Sequence, residues 1–150
     1  LGSDERYRQW QLRLDKALSH GPNTWVLGGR YGRTLDDAEV VTSSFLLGGA
    51  RQLSGFRQDA VAGQNISLGR VVYYRRMTPR AFLPLDFPVY LGASLERGRA
   101  WNEGNAFDSG YINAGSVFLG YDTPLGPLNI GYGVNDEDEQ ALYLDLGRSF

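Results

Sequence analysis

The chain has 150 residues, 15 basic against 17 acidic, with a net charge of −2 and a pI near 5.4. That is one domain, or part of a larger one, without the basic stripe that nucleic-acid binding needs. No cysteine and a single His20 exclude disulfides, thiolate chemistry and a histidine metal cluster, and no charge-free run exceeds 13 residues, short of the ~18 of a membrane-spanning helix. Glycine, at 20 residues, is nearly twice its usual ~7% share, and tyrosine leads the aromatics with nine. Together they argue for an all-β chain. A mean hydropathy of −0.33 does not exclude a transmembrane barrel, whose lipid-facing and lumen-facing residues alternate and average out.

A period of two runs through most of the chain and predicts about eight strands. The first covers residues 5–18, where Trp10, Leu12 and Leu14 alternate with Gln9, Gln11, Arg13 and Asp15. In 22–33, Trp25, Leu27 and Tyr31 alternate with Val26, Gly28 and Arg30. A third strand, the weakest in pattern, is placed at 37–47, and a fourth at 64–77 has Val71 and Tyr73 facing opposite to Arg70 and Tyr74. In 88–101, Leu91, Ala93 and Leu95 oppose Gly92, Ser94 and Glu96, and in 111–121, Val117 and Leu119 oppose Ser116 and Gly120. In 126–135, Leu128, Ile130, Tyr132 and Val134 alternate with Asn129, Gly131 and Gly133. The last, 140–150, sets Leu142, Leu144, Leu146 and Phe150 against Tyr143, Asp145, Gly147 and Ser149. Each is close to the 9–11 residues a tilted strand needs to cross a bilayer. Eight strands would place the connections at 33–36, 78–87 and 122–126 at one end, and those at 20–22, 48–63, 102–110 and 135–139 at the other.

Bulky apolar residues on one face and small or polar ones on the other invert the pattern of a soluble sandwich, whose large residues fill the inside. The expected fold is therefore an all-β, antiparallel, up-and-down transmembrane barrel over residues 1–150, with Leu12, Leu91, Leu119, Ile130 and Leu144 towards lipid and Gln11, Ser94, Asn129 and Asp145 inward. A soluble lipocalin-like barrel of eight strands is the alternative. Other features have plainer readings. His20 falls in a turn, and the acidic run from Asn135 to Glu139 reads as a hairpin tip rather than a calcium site. Arg70, Arg75, Arg76 and Arg80 suit either anionic lipid head groups or lumen packing and snorkelling.

Four stretches together resemble the bacterial surface-antigen barrels of the outer-membrane assembly-factor superfamily. Leu47 to Phe56 (LGGARQLSGF) resembles that family's sixth extracellular loop, which folds back into the lumen. Leu95 to Trp101 (LERGRAW) resembles its strand with an acidic residue, a glycine and a tryptophan; Asp122 to Leu128 (DTPLGPL) resembles the turn into its penultimate strand. Gly147 to Phe150 (GRSF) resembles its terminal targeting signal, made here of Leu142, Leu144, Leu146, Gly147 and Phe150. The loop wording and Val71 to Arg80 (VVYYRRMTPR) are most similar to the barrel of patatin-like phospholipase autotransporters.

The resemblance implies the C-terminal half of a 16-stranded barrel in the bacterial outer membrane. It implies a loop and latch formed by Gly48, Gly49, Arg51, Ser54, Gly55, Phe56, Arg57 and Glu96. Where the family's loop carries arginine this chain carries Ser54, so Arg51 or Arg57 is expected to pair with Glu96 instead. The implied role is to anchor, and help export or assemble, an upstream patatin-like lipid hydrolase. Partners would be outer-membrane lipids and lipopolysaccharide, the barrel assembly machinery and, if a half wall closes on a second copy, a homodimer. No cofactor, metal or nucleic acid is implied. No Gly-x-Ser-x-Gly occurs in the chain, so no hydrolytic residue is assigned to it.

Overall fold

The structure is a computed structural model and describes residues 8–35, 44–77, 88–103 and 107–147. The period-two segments form an antiparallel meander: β1 (Gln9–His20), β2 (Asn23–Thr34), β3 (Phe45–Leu47), β4 (Val61–Gly63), β5 (Asn65–Met77), β6 (Val89–Trp101), β7 (Ile112–Thr123), β8 (Gly126–Asn135) and β9 (Gln140–Leu146). Seven of these make one sheet in the order β1-β2-β5-β6-β7-β8-β9, and β3 pairs only with β4. Among the described residues β1 and β9 are the two edges of an open wall. No helix of the described residues is long and apolar enough to cross a membrane.

Among the described residues the wall thus has seven strands rather than eight. The expected strand at 37–47 does not stand between β2 and β5, which pair directly, from Asn23↔Arg75 to Arg33↔Asn65. Phe45–Leu47 instead turns onto the sheet with Val61–Gly63, and the rest of that stretch, 36–43, lies outside the described residues. The ends are reassigned accordingly. The turn at Gly21 and Pro22 shares an end with the β5–β6 link and the β7–β8 turn, while the connection after Thr34 joins the other end, with the 48–60 loop. The reason is pairing partners: Phe45 and Leu47 bury against the sheet as part of a core cluster with Leu53, Ile66, Leu68 and Ile112, which a place in the wall would forbid.

The sheet has two unlike faces. Inward lie Val72, Ser94, Glu96, Phe118 and Asn129, all buried; outward lie Leu12, Leu91, Leu119, Ile130 and Leu144, all exposed. Asp145 is half-buried on the inward side, and Gln11, on the edge strand, is exposed but accepts a hydrogen bond from the inward Arg30 at 3.4 Å.

The outward apolar residues form a slanted band. The register row through Leu144 runs Ile130, Leu119, Leu91, Arg75, Asn23 and His20, apolar at one edge and polar at the other. The apolar run of β9 centres on Leu144, whereas the outward apolar residues of β1 (Trp10, Leu12, Leu14 and, past Lys16, Leu18) centre near Leu14, six residues from His20 across six strand pairings. The band therefore climbs one residue per strand, a slope of about 35° given a ~3.3 Å rise and ~4.8 Å strand spacing. Aromatic rings gather at both margins. Trp10 stacks on Tyr31 at 5.3 Å and Tyr31 neighbours Trp101 at 6.2 Å towards the loop end; Trp25 meets Tyr73 at 4.6 Å towards the turn end.

Candidate functional site

The site is built where the 48–60 loop meets the inward face. Register aligns Asp15, Gly28, Arg70, Glu96, Ala114 and Asn135 across the sheet, which puts the carboxylate of Glu96 in mid-wall. Only 4% exposed, it is held by donors. The Ser54 backbone N–H donates to Oε2 at 2.6 Å, the Ser54 hydroxyl to Oε1 at 2.8 Å, and the Ser94 hydroxyl also to Oε1. Ser116 lies 2.6 Å from the Ser94 oxygen. A buried carboxylate is costly unless several donors satisfy it; here the loop supplies two of them, so loop and wall stabilise each other.

Around this pair the loop is fastened at three more points. Gly55 donates its N–H to the Tyr143 hydroxyl at 2.8 Å, and that hydroxyl donates to the Phe56 carbonyl at 2.6 Å. Asn135 Nδ2 donates to the Ser54 carbonyl at 3.4 Å. Leu53, fully buried, sits over Gly98, where an added Cβ would come within 2.9 Å of its methyl. Gly133 leaves room in the same way: a Cβ there would lie 2.6 Å from Ser54 Cβ and 2.8 Å from the Gly55 nitrogen. Gly55 itself has φ +95°, a conformation that favours glycine.

The loop places the expected residues as follows. Gly48 and Gly49 both have positive φ, and Gly48 takes part in the turn through its N–H to the Gln52 carbonyl at 2.7 Å. Phe56 is half-buried and packs on the core cluster. Ser54, not an arginine, contacts Glu96. Among the described residues no ion pair joins Glu96 to Arg51 or Arg57, which corrects the expected substitution. Arg57 is exposed. Arg51 turns its guanidinium over the Phe118 ring at 5.2 Å. Burial draws that guanidinium below its ordinary pKa, and Asp145 and Glu96 counter this from a distance while Arg70 adds to it. The physical reason is reach: at position 54 the backbone touches the wall, and only a short side chain fits between Glu96 and Gly133.

Tyr143, Asn135, Ser94 and Gly133 belong to the latch although the sequence reading gave them no such role. Alternation placed Tyr143 inward as the one large residue of β9's inner face, a signal that it meets something. Of the expected targeting residues, Leu142, Leu144 and Leu146 point outward from the edge strand and are exposed, Gly147 follows with φ +81°, and Phe150 lies outside the described residues. No group of three or more metal-ligating side chains stands together among the described residues. Arg70 meets Asp15 at 2.8 Å and Arg13 meets it at 2.6 Å, so the inner face near β1 carries its own ion-paired network. No protein-family model, no curated protein and no solved structure matches this chain.

Proposed function

We propose that this wall is part of a transmembrane β-barrel of the bacterial outer membrane, and that it anchors an attached upstream domain and assists its export or assembly. The observation that carries this reading is the slanted apolar band. Strands of membrane barrels tilt by about 35–45°, so an apolar belt level with the bilayer must cross the strand register at that slope. A soluble sheet has no reason to shift its exposed apolar residues by one position per strand. The aromatic margins, with aliphatic residues between them, support the same orientation. A lipocalin-like barrel would turn its large apolar side chains inward around a ligand. Here the inward face is occupied by the chain's own loop and its polar latch.

Within this reading the 48–60 loop plugs the lumen, and the exposed edges of β1 and β9 are covered by further strands, since open edges are costly in lipid. The barrel is one of 16 strands, with a lipid hydrolase of patatin type upstream. The reading is tested on the full-length protein by heat-modifiable mobility after detergent extraction: a folded barrel migrates faster unheated than boiled. Solubility without detergent, with no mobility shift, would overturn it.

A further inference from the structure

The outward face carries a hollow in its loop-end half. Register puts Leu14, Gly29, Gly69 and Arg97 in one row across β1, β2, β5 and β6, and Leu12, Tyr31, Ser67 and Arg99 in the next outward row towards the loop end. Leu12, Leu14 and Tyr31 form one bank and Arg97 and Tyr111 the other; the floor between them is Gly29, Ser67 and Gly69, and the space is about 450 Å3. A Cβ on Gly69 would meet no atom within 4 Å, and one on Gly29 only the Leu68 carbonyl oxygen at 4.0 Å. Neither glycine has a positive φ. Glycine weakens a strand, and where neither a bend nor a close neighbour calls for it, it leaves room for a ligand.

The hollow lies within one half of the apolar band. Shifted by one residue per strand from Leu144, the centre of the band falls at Gly28 on β2, Val71 on β5 and Ser94 on β6. Gly29, Gly69 and Arg97 stand one, two and three residues beyond it towards the loop end. Arg97 is therefore about 8 Å above the mid-plane, for a ~3.3 Å rise and the ~35° slope, within a half-band of about 12 Å. Its side chain is exposed and its guanidinium lies over the Tyr111 ring, 4.8 Å from the centroid. Stacking uses the face of a guanidinium, whereas its N–H donors lie in the plane, where phosphate oxygens bind. Beside it Arg99 is held by Asp108. Arg30, which also borders the hollow, points inward and donates to the Leu46 carbonyl at 3.1 Å. An apolar trough with one outward cation at its interfacial end has the chemistry of an acyl chain joined to a phosphate. We infer that the hollow holds an acyl chain of an anionic lipid from the loop-end leaflet, with its phosphate against Arg97. A second copy of the chain fits less well, because a two-fold axis along the membrane normal would set Arg97 against Arg97 at the same depth. This inference rests on the transmembrane reading above.

The test uses the full-length protein in vesicles of equimolar phosphatidylglycerol and phosphatidylcholine with identical acyl chains. A photo-crosslinking phenylalanine analogue replaces Leu12 on the bank of the hollow or, as a control, Leu144 on the band far from it, and lipid adducts are read by mass. At position 12 phosphatidylglycerol should be captured over phosphatidylcholine by about fivefold, the effect of one interfacial arginine, with no preference at position 144. Arg97→Gln should remove the preference at 12. Gly69→Leu, for which the strand has space, should fill the trough and remove the lipid adduct at 12 while leaving that at 144. Equal capture of both lipids at 12, or a preference there that survives Arg97→Gln, overturns the inference and leaves the barrel reading standing. A protein–protein adduct at 12 also overturns it, in favour of a second copy. Absence of lipid adducts at both positions overturns the inference together with the barrel reading.

Discussion

Glu96 accepts from three donors, two of them from one residue of the loop, and this makes the loop's position depend on single atoms. Glu96→Ala leaves the Ser54 N–H and two hydroxyls without their acceptor in a buried place, a cost of about 2–3 kcal/mol. The expected outcome is faster tryptic cleavage after Arg51 and Arg57 in the folded protein, with the strands still resistant; unchanged cleavage would show that packing at Leu53 alone holds the loop. Ser54→Ala keeps the backbone N–H bond and should cost only about 1 kcal/mol. Gly133→Val acts from the wall side. Its Cβ has no space beside Ser54 and Gly55, so it should expose the same two cleavage sites without touching any polar partner. Ser54→Arg should likewise displace the loop, because position 54 is fully buried.

At the scale of the element, each strand carries a face assignment that one substitution can check. Leu144, 71% exposed on β9, lies at the centre of the slanted band, where an arginine should cost about 2–4 kcal/mol in a bilayer. Leu144→Arg should therefore impair folding into vesicles, as read by the heat-modifiable shift. The same change at Asn113, outward on β7 near the loop-end margin of the band, should be nearly neutral. Equal effects at both sites would mean that the band has no depth. The loop hairpin is an element of another kind. Its alternation resembled a wall strand because Phe45 and Leu47 are buried and Leu46 is exposed, yet the three residues pair with β4, and Phe45 and Leu47 bury against the inner face. A short strand that buries alternate residues on a sheet and one that extends the sheet share a period, so periodicity alone could not separate them.

For the whole molecule, two expectations concern where function resides. The 150 residues contain no Gly-x-Ser-x-Gly, and His20 is exposed at the Gly21–Pro22 turn, so the proposed function assigns lipid hydrolysis to the upstream domain. Hydrolysis of lipid esters by the full-length protein should accordingly survive every substitution named above that leaves the barrel inserted; a serine within these 150 residues whose change to alanine abolishes turnover would sink the assignment. Phe150 is expected to act in targeting rather than in packing. Its deletion should reduce insertion in cells while refolding into detergent micelles continues, since one terminal ring is a small part of the buried surface. Equal loss in both assays would make it a packing residue.

Alternation fixed the all-β class, the inward and outward faces and the positions of all seven wall strands to within a few residues, because side-chain direction in a strand is a local property of period two. The same alternation placed Tyr143, Ser94 and Glu96 on the inner face. It could not say which strand lies beside which. That β2 pairs with β5, that residues 45–63 fold back over the wall, and that Ser54 rather than a neighbouring arginine meets Glu96 are matters of contacts between residues 30 to 90 positions apart, such as Gly55 with Tyr143. Nor could it reveal the slope of the apolar band, which exists only once the strands are in register. Faces are written along each strand; register, reach and the space beside Gly133 arise only when distant segments come together.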